Sequence, residues 1–186
     1  MQYVMASKWS LMERFEITDG SGTPQFEARG HLGAKITLHD YSGREVADIR
    51  KHMMSDKHDV YVGGQQVAEV RHAGFLGDHY DIQSAYGMLA ARGHFNGGDY
   101  TLSRDGAPVA ALRRQFSLRE KFAIEIADNE EQAFLLAVIL AIEAIHEERN
   151  QQEYGGRRDG MVGGLGGFGG PGMGEGIGGM IARDIL

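Results

Sequence analysis

A motif that recurs every 21 residues constrains the fold of this chain more than any other sequence feature. Each copy contains an alanine and ends in arginine, and the copies are Gln25–Arg29, Val46–Arg50, Val67–Arg71, Met88–Arg92 and Val109–Arg113. Three residues before them stand Gly22, Gly43, Gly64, Ala85 and Gly106, mostly glycines that suit a hairpin turn. A unit of this length holds two strands of about 5 to 6 residues and two turns, so each is predicted to be a β-hairpin.

The repeat strands alternate between an apolar face and a charged face, which is typical of half-buried strands. Phe26 and Ala28 share one face of the first copy, and Glu27 and Arg29 share the other. Further alternating segments bring the predicted total to about twelve strands. A sheet of this size rarely stays open. We therefore predict a mainly β fold, a closed antiparallel twelve-stranded barrel over residues 1–150.

Residues 129–150 break this pattern and predict one α-helix. Asp128, followed three residues later by Glu131, resembles a capping box. The run from Ala133 to Ile142 is apolar around the whole helix, which indicates burial on all sides, and it is shorter than the ~20 residues of a membrane span. A twelve-strand barrel has room for such an element, so the helix is predicted to fill it.

Composition excludes several kinds of function. The chain has no cysteine among its 186 residues, which rules out thiol catalysis and thiolate metal sites. A net charge of −7 disfavours nucleic-acid binding. Residues 1–10 lack the apolar run of a signal peptide, so a cytoplasmic location is expected, and binding of anionic lipid would make the protein a peripheral membrane protein.

Taken together, these segments resemble the LURP-one-related family, which is grouped with tubby C-terminal and phospholipid scramblase domains. The resemblance spans residues 1 to about 149, and it is carried by Met1–Met5, Phe15–Asp19, the Val-Ala-x-Ile/Val-Arg copies, Phe122–Asp128 and an apolar helix ending in Ile145-His146. It implies a twelve-strand barrel around a C-terminal helix. It also implies contact with membrane phospholipid, since tubby relatives bind phosphoinositide headgroups. The acidic calcium-binding segment of scramblases has no clear counterpart here.

The arginine column offers a candidate site for anionic lipid, because arginine binds phosphate bidentately. In three copies an acidic residue lies two positions earlier on the same face, which favours a solvated face of cross-strand ion pairs instead. Arg92 and Arg113 have alanine at that position. The predicted lipid-binding residues are therefore Arg92, Arg113, Arg114, Arg119 and Lys121.

No catalytic, metal or cofactor site is predicted. The eight histidines lack HxH or HExxH spacing, and the serines lack a G-x-S-x-G elbow. A non-enzymatic binding or scaffold module is thus the first hypothesis. A scramblase-like protein whose apolar helix inserts into a membrane is the alternative, and a hydrolase with a composite site is a third.

Residues 151–186 form a predicted tail, and residues 155–179 of it contain 14 glycines. This composition is typical of a flexible linker. Single apolar residues also make it a candidate tether for a protein partner. The predicted docking residues are Phe168, Met180, Ile181, Ile185 and Leu186.

Overall fold

The computed structural model describes residues 1–159 apart from 9–12, 31–34, 53–54, 74–78 and 116–120. Twelve antiparallel strands follow one another around a closed barrel, and the first pairs with the last. They are β1 (Gln2–Lys8), β2 (Glu13–Asp19), β3 (Pro24–Gly30), β4 (Lys35–Asp40), β5 (Glu45–Lys51), β6 (Lys57–Val62), β7 (Gln65–Ala73), β8 (His79–Ser84), β9 (Gly87–His94), β10 (Asp99–Arg104), β11 (Ala107–Gln115) and β12 (Lys121–Ile126). The predicted fold is confirmed.

The repeat corresponds to the hairpins, and its glycines lie at one end of the barrel, called the hairpin end here. Gly22, Gly43, Gly64 and Gly106 all have φ between 79° and 86°, as a tight turn requires. Each of these four hairpins also has a register shift near its turn. The unit with Ala85 has no such shift, and Gly87 takes the positive φ instead. One substitution in the repeat thus changes the local turn.

The second strand of each repeat unit turns its apolar face into the barrel, as predicted. The five predicted small residues are buried: Ala28, Ala47, Ala68, Ala91 and Ala110. Their short side chains leave the interior wide enough for a helix.

The helix α1 (Gln132–Asp159) fills that interior. Its side chains from Phe134 to Ile142 are at most 4% exposed, so the predicted core helix is confirmed. It packs closest against β5, β6 and β7, which places it off the barrel axis. Among the described residues, no helix is long and apolar enough to cross a membrane.

The first and last residues of α1 differ from those of the predicted helix, which spanned residues 129–150. Residues 127–130 form a turn, and the Glu131 carboxylate accepts the backbone N–H groups of Ala133 and Phe134, so Glu131 caps the helix. Asp128 was predicted for this role, but it lies one turn too early. At the other end α1 continues through nine more residues, because good helix formers such as Glu, Gln and Arg follow residue 146.

Candidate functional site

The outer wall of the barrel carries the arginine column, and three of its members are paired with acids. Arg29 lies 2.6 Å from Glu27, Arg50 lies 2.6 Å from Asp48, and Arg71 contacts Asp81 of β8 at 3.5 Å. Arg71 therefore forms a cross-strand ion pair of the predicted kind, whereas Arg29 and Arg50 pair within their own strands, and the Asp48 partner is buried.

Arg92 and Arg113 differ from those three, because neither forms an ion pair within the described part of the chain. Both are exposed on the outer wall, Arg92 on β9 and Arg113 on β11. Lys121 is half-buried on the same side of β12 and has no ion pair there either. We call Arg92, Arg113 and Lys121 the outer basic face.

The residues directly opposite the outer basic face are of mixed size: three are short (Ala6, Thr101 and Ala123) and three are longer (His79, Asp99 and Gln115). Thr101 lies opposite Arg92, and Ala123 lies opposite Arg113 on β12. Asp99 also lies opposite Arg113, but no ion pair joins them. Of the residues directly opposite these three cations, Asp99 is the one that carries a carboxylate.

Arg114 does not belong to this face. Since successive residues of a strand point to opposite sides, Arg113 and Arg114 are separated by the barrel wall. Arg114 lines a cavity at the end of the barrel opposite the hairpin end, which we call the open end. Arg119, the fifth predicted residue, lies outside the described residues, as do the predicted docking residues of the tail.

The cavity at the open end has a volume of about 380 Å³, within the usual range for small-molecule sites. It lies between α1 and the strands on the side of the barrel away from β5, β6 and β7, chiefly β1, β2, β3, β11 and β12. Met5, Phe15 and Phe122 give it an apolar wall, whereas Glu143 and Glu147 of α1 bring charge. The site is therefore amphipathic.

Glu143 connects this cavity to a buried hydroxyl. Tyr100 is 2% exposed, and its pKa is raised well above the usual value, first by burial and then by the Glu143 carboxylate. Tyr100 therefore stays protonated over the physiological pH range.

A polar cluster joins Glu148 and Arg149 of α1 to the barrel wall. Lys51 of β5 pairs with Glu148 of α1 at 2.6 Å, and His58 of β6 lies 3.6 Å from the same carboxylate. Arg149 contacts the ring of His72 on β7 at 3.1 Å. Burial is the main cause that lowers the pKa of His58, and it outweighs the opposing effect of Glu148.

Sequence reasoning missed this cluster and the cavity. Lys51, His58 and Glu148 are far apart in sequence and share no motif. The inward-facing positions of the repeat contain a signal, because Lys51 and His58 fall on the apolar face where a charged or polar residue is unexpected. A second group that was missed, His52, Asp59 and Glu69, lies on the outer wall.

A closed twelve-strand barrel around an apolar helix, with its polar sites on the outer wall and at the open end, defines the class of this protein. The chain belongs to the LURP-one-related family, whose model matches residues 1–143. An X-ray structure of an Arabidopsis thaliana protein is similar to it, with 19% identity, a TM-score of 0.61 and coverage of 78% of this chain and 91% of that one. At this identity the likeness shows a shared fold. No curated protein matches the chain.

Proposed function

We propose that this protein is a non-enzymatic binding module whose outer basic face engages anionic phospholipid at a membrane surface. The observation that carries the proposal is the contrast within the arginine column. Arg29 and Arg50 are each neutralised by an acid 2.6 Å away, whereas Arg92 and Arg113 are exposed and unpaired within the described residues.

Unpaired arginines are suited to phosphate. A guanidinium group that is already paired must give up a carboxylate before it binds another anion, whereas an unpaired one loses only water. Arg92 and Arg113 lie on strands separated only by β10, so they are far enough apart to meet two different headgroups. Lys121 adds a third cation on β12.

The net charge of −7 does not oppose this mode of binding. Charges beyond a Debye length of ~8 Å are largely screened at physiological ionic strength, so the membrane responds to the nearest side chains. Each Lys or Arg near an anionic membrane contributes about 1 kcal/mol. Removing both arginines should therefore weaken binding by about 2 kcal/mol, or roughly 30-fold.

Vesicle flotation tests the proposal. We expect the protein to float with vesicles of phosphatidylcholine containing phosphatidylserine or phosphoinositide, and not with phosphatidylcholine alone. The double variant R92A/R113A should bind about 30-fold more weakly, and high salt should release the wild-type protein.

The matched control is R29A/R50A, which removes two arginines of the same repeat that already have acidic partners. Its binding should stay within a few fold of wild type. Equal losses in both double variants would show that net charge alone governs binding and would contradict the site. Binding that resists high salt would point to an inserted apolar segment instead.

The tail supports a second contact within the same proposal. Residues beyond Asp159 alternate glycine with single apolar side chains, a composition suited to docking on a protein surface. Phe168, Met180, Ile181, Ile185 and Leu186 are the proposed contact residues. A pull-down in which the full chain captures a partner and a chain ending at residue 159 does not would support this contact.

A further inference from the structure

Three side chains that can bind a metal ion, those of His52, Asp59 and Glu69, lie close together on the outer wall, away from the outer basic face. The imidazole of His52 and the carboxylates of Asp59 and Glu69 each offer a ligand atom, and these atoms lie within 4.8 Å of one another. His52 directly follows β5, and Asp59 of β6 lies opposite Glu69 of β7. Three separate segments thus converge on one point.

The two carboxylates of this group are compensated unequally. Like charges at opposite positions of neighbouring strands destabilise a sheet. Lys57 neutralises Glu69 at 2.8 Å, but the ionic contact of Asp59 among the described residues is His52 at 2.7 Å. A histidine offsets this charge only when it is protonated. Asp59 is only 9% exposed, so water screens its charge poorly.

Two further cations near Asp59 are engaged elsewhere, and one of them, Arg71 of β7, contacts Asp81 at 3.5 Å. Arg50 lies opposite Asp59 on β5, yet its guanidinium group pairs with Asp48 at 2.6 Å and stacks 4.0 Å over the ring of Tyr61. The low-exposure Asp59 carboxylate therefore lacks a permanently charged partner within the described residues.

The carboxylate of Asp59 is also fixed in orientation. Gln66 donates a hydrogen bond from Nε2 to Oδ1 at 2.8 Å, while Oδ2 faces His52. Hydrogen bonds to the non-coordinating oxygen are a typical means of orienting metal ligands. Gln66 thus holds Oδ2 toward the point where the three side chains meet.

We propose that His52, Asp59 and Glu69 bind a divalent transition-metal ion of the Zn²⁺ type. One imidazole nitrogen and two carboxylate oxygens are a donor set that Zn²⁺ accepts, and the nitrogen disfavours Ca²⁺ and Mg²⁺. Ligand atoms ~2.0–2.2 Å from a tetrahedral ion lie about 3.4 Å apart, so shifts of about 1 Å complete the site. Lys57 moves away from Glu69, and water takes the fourth position.

The bound ion links His52, at the end of β5, to the wall formed by β6 and β7. It replaces a hydrogen bond by coordination and neutralises both carboxylates. Because binding requires an unprotonated imidazole, metal affinity falls as the pH is lowered. The melting temperature accordingly rises with Zn²⁺ concentration.

Calorimetric titration of the full chain with Zn²⁺ tests the site, with Co²⁺ absorption as a second readout of coordination geometry. We expect one tight ion per chain. H52N and E69Q should each weaken binding about tenfold or more. The matched control is H94N, since His94 is an exposed histidine outside the cluster.

A further variant separates a metal site from an ordinary ion-pair network. K57M removes the competitor for Glu69, so a metal site predicts tighter Zn²⁺ binding, whereas a network predicts no gain. Unchanged affinity in both H52N and E69Q, an equal loss in H94N, or no gain in K57M would overturn the proposal.

Discussion

Replacing Leu135 by alanine tests whether α1 is the core of the barrel. Leu135 is fully buried near the start of the helix. The substitution removes about three methylene equivalents, or ~2.4 kcal/mol of transfer free energy. A residual cavity of ~50 Å³ at ~24 cal/mol per Å³ adds about 1.2 kcal/mol. The expected loss in the free energy of unfolding is therefore about 3.5 kcal/mol, or roughly 10 °C in melting temperature.

Urea and thermal unfolding followed by circular dichroism measure this loss. The control is M88A, because Met88 is 53% exposed on the outer wall and should change stability by less than about 0.5 kcal/mol. A loss below ~1 kcal/mol in L135A would refute the reasoning. It would mean that the barrel is stable without a packed helix, as a helix that inserts into membranes requires.

Three further predictions follow from single features of the structure. In G93A the new Cβ would lie 2.4 Å from the backbone oxygen of Asp99 and 2.6 Å from Cα of Tyr100, so thermal unfolding should show a loss of at least ~1–3 kcal/mol. Because the pKa of His58 lies below its usual 6.5, the unfolded chain takes up its proton first, and stability should be present above pH 6.5 and fall below it. H58F should flatten that decline in urea titrations, and an unchanged slope would exclude His58 as its source. Deleting residues 160–186 should leave the melting temperature within about 2 °C of wild type, because the deletion leaves the described core intact, whereas a large drop would show that these residues pack on the barrel.

The fold was predictable because the chain repeats one β-hairpin motif every 21 residues. Five copies of one pattern show the same alternation of faces, and the run from Ala133 to Ile142 has no polar face. Local signals were less reliable at element ends. Asp128 matches a capping pattern, but the turn over residues 127–130 moved the cap to Glu131.

The candidate sites were predictable only in part. The acids two residues before Arg29 and Arg50 pair with them within one strand, where cross-strand pairs were predicted, because both residues lie on one face of that strand. The same rule could not assign Arg71, which pairs with Asp81 on the next strand. Grouping Arg114 with Arg113 was wrong for a reason that the sequence already contained, since successive residues of a strand point to opposite faces.

By itself the sequence determined the hairpins, the closed barrel and the buried helix. These features depend on the spacing of apolar and polar residues that are close together in the chain. Only the tertiary structure decided where α1 lies within the barrel, and hence where the open-end cavity is. It also brought Lys51 and His58 to Glu148, and His52 to Asp59 and Glu69. The physical reason is that strand register and helix placement depend on the packing of the whole interior, which no local pattern encodes.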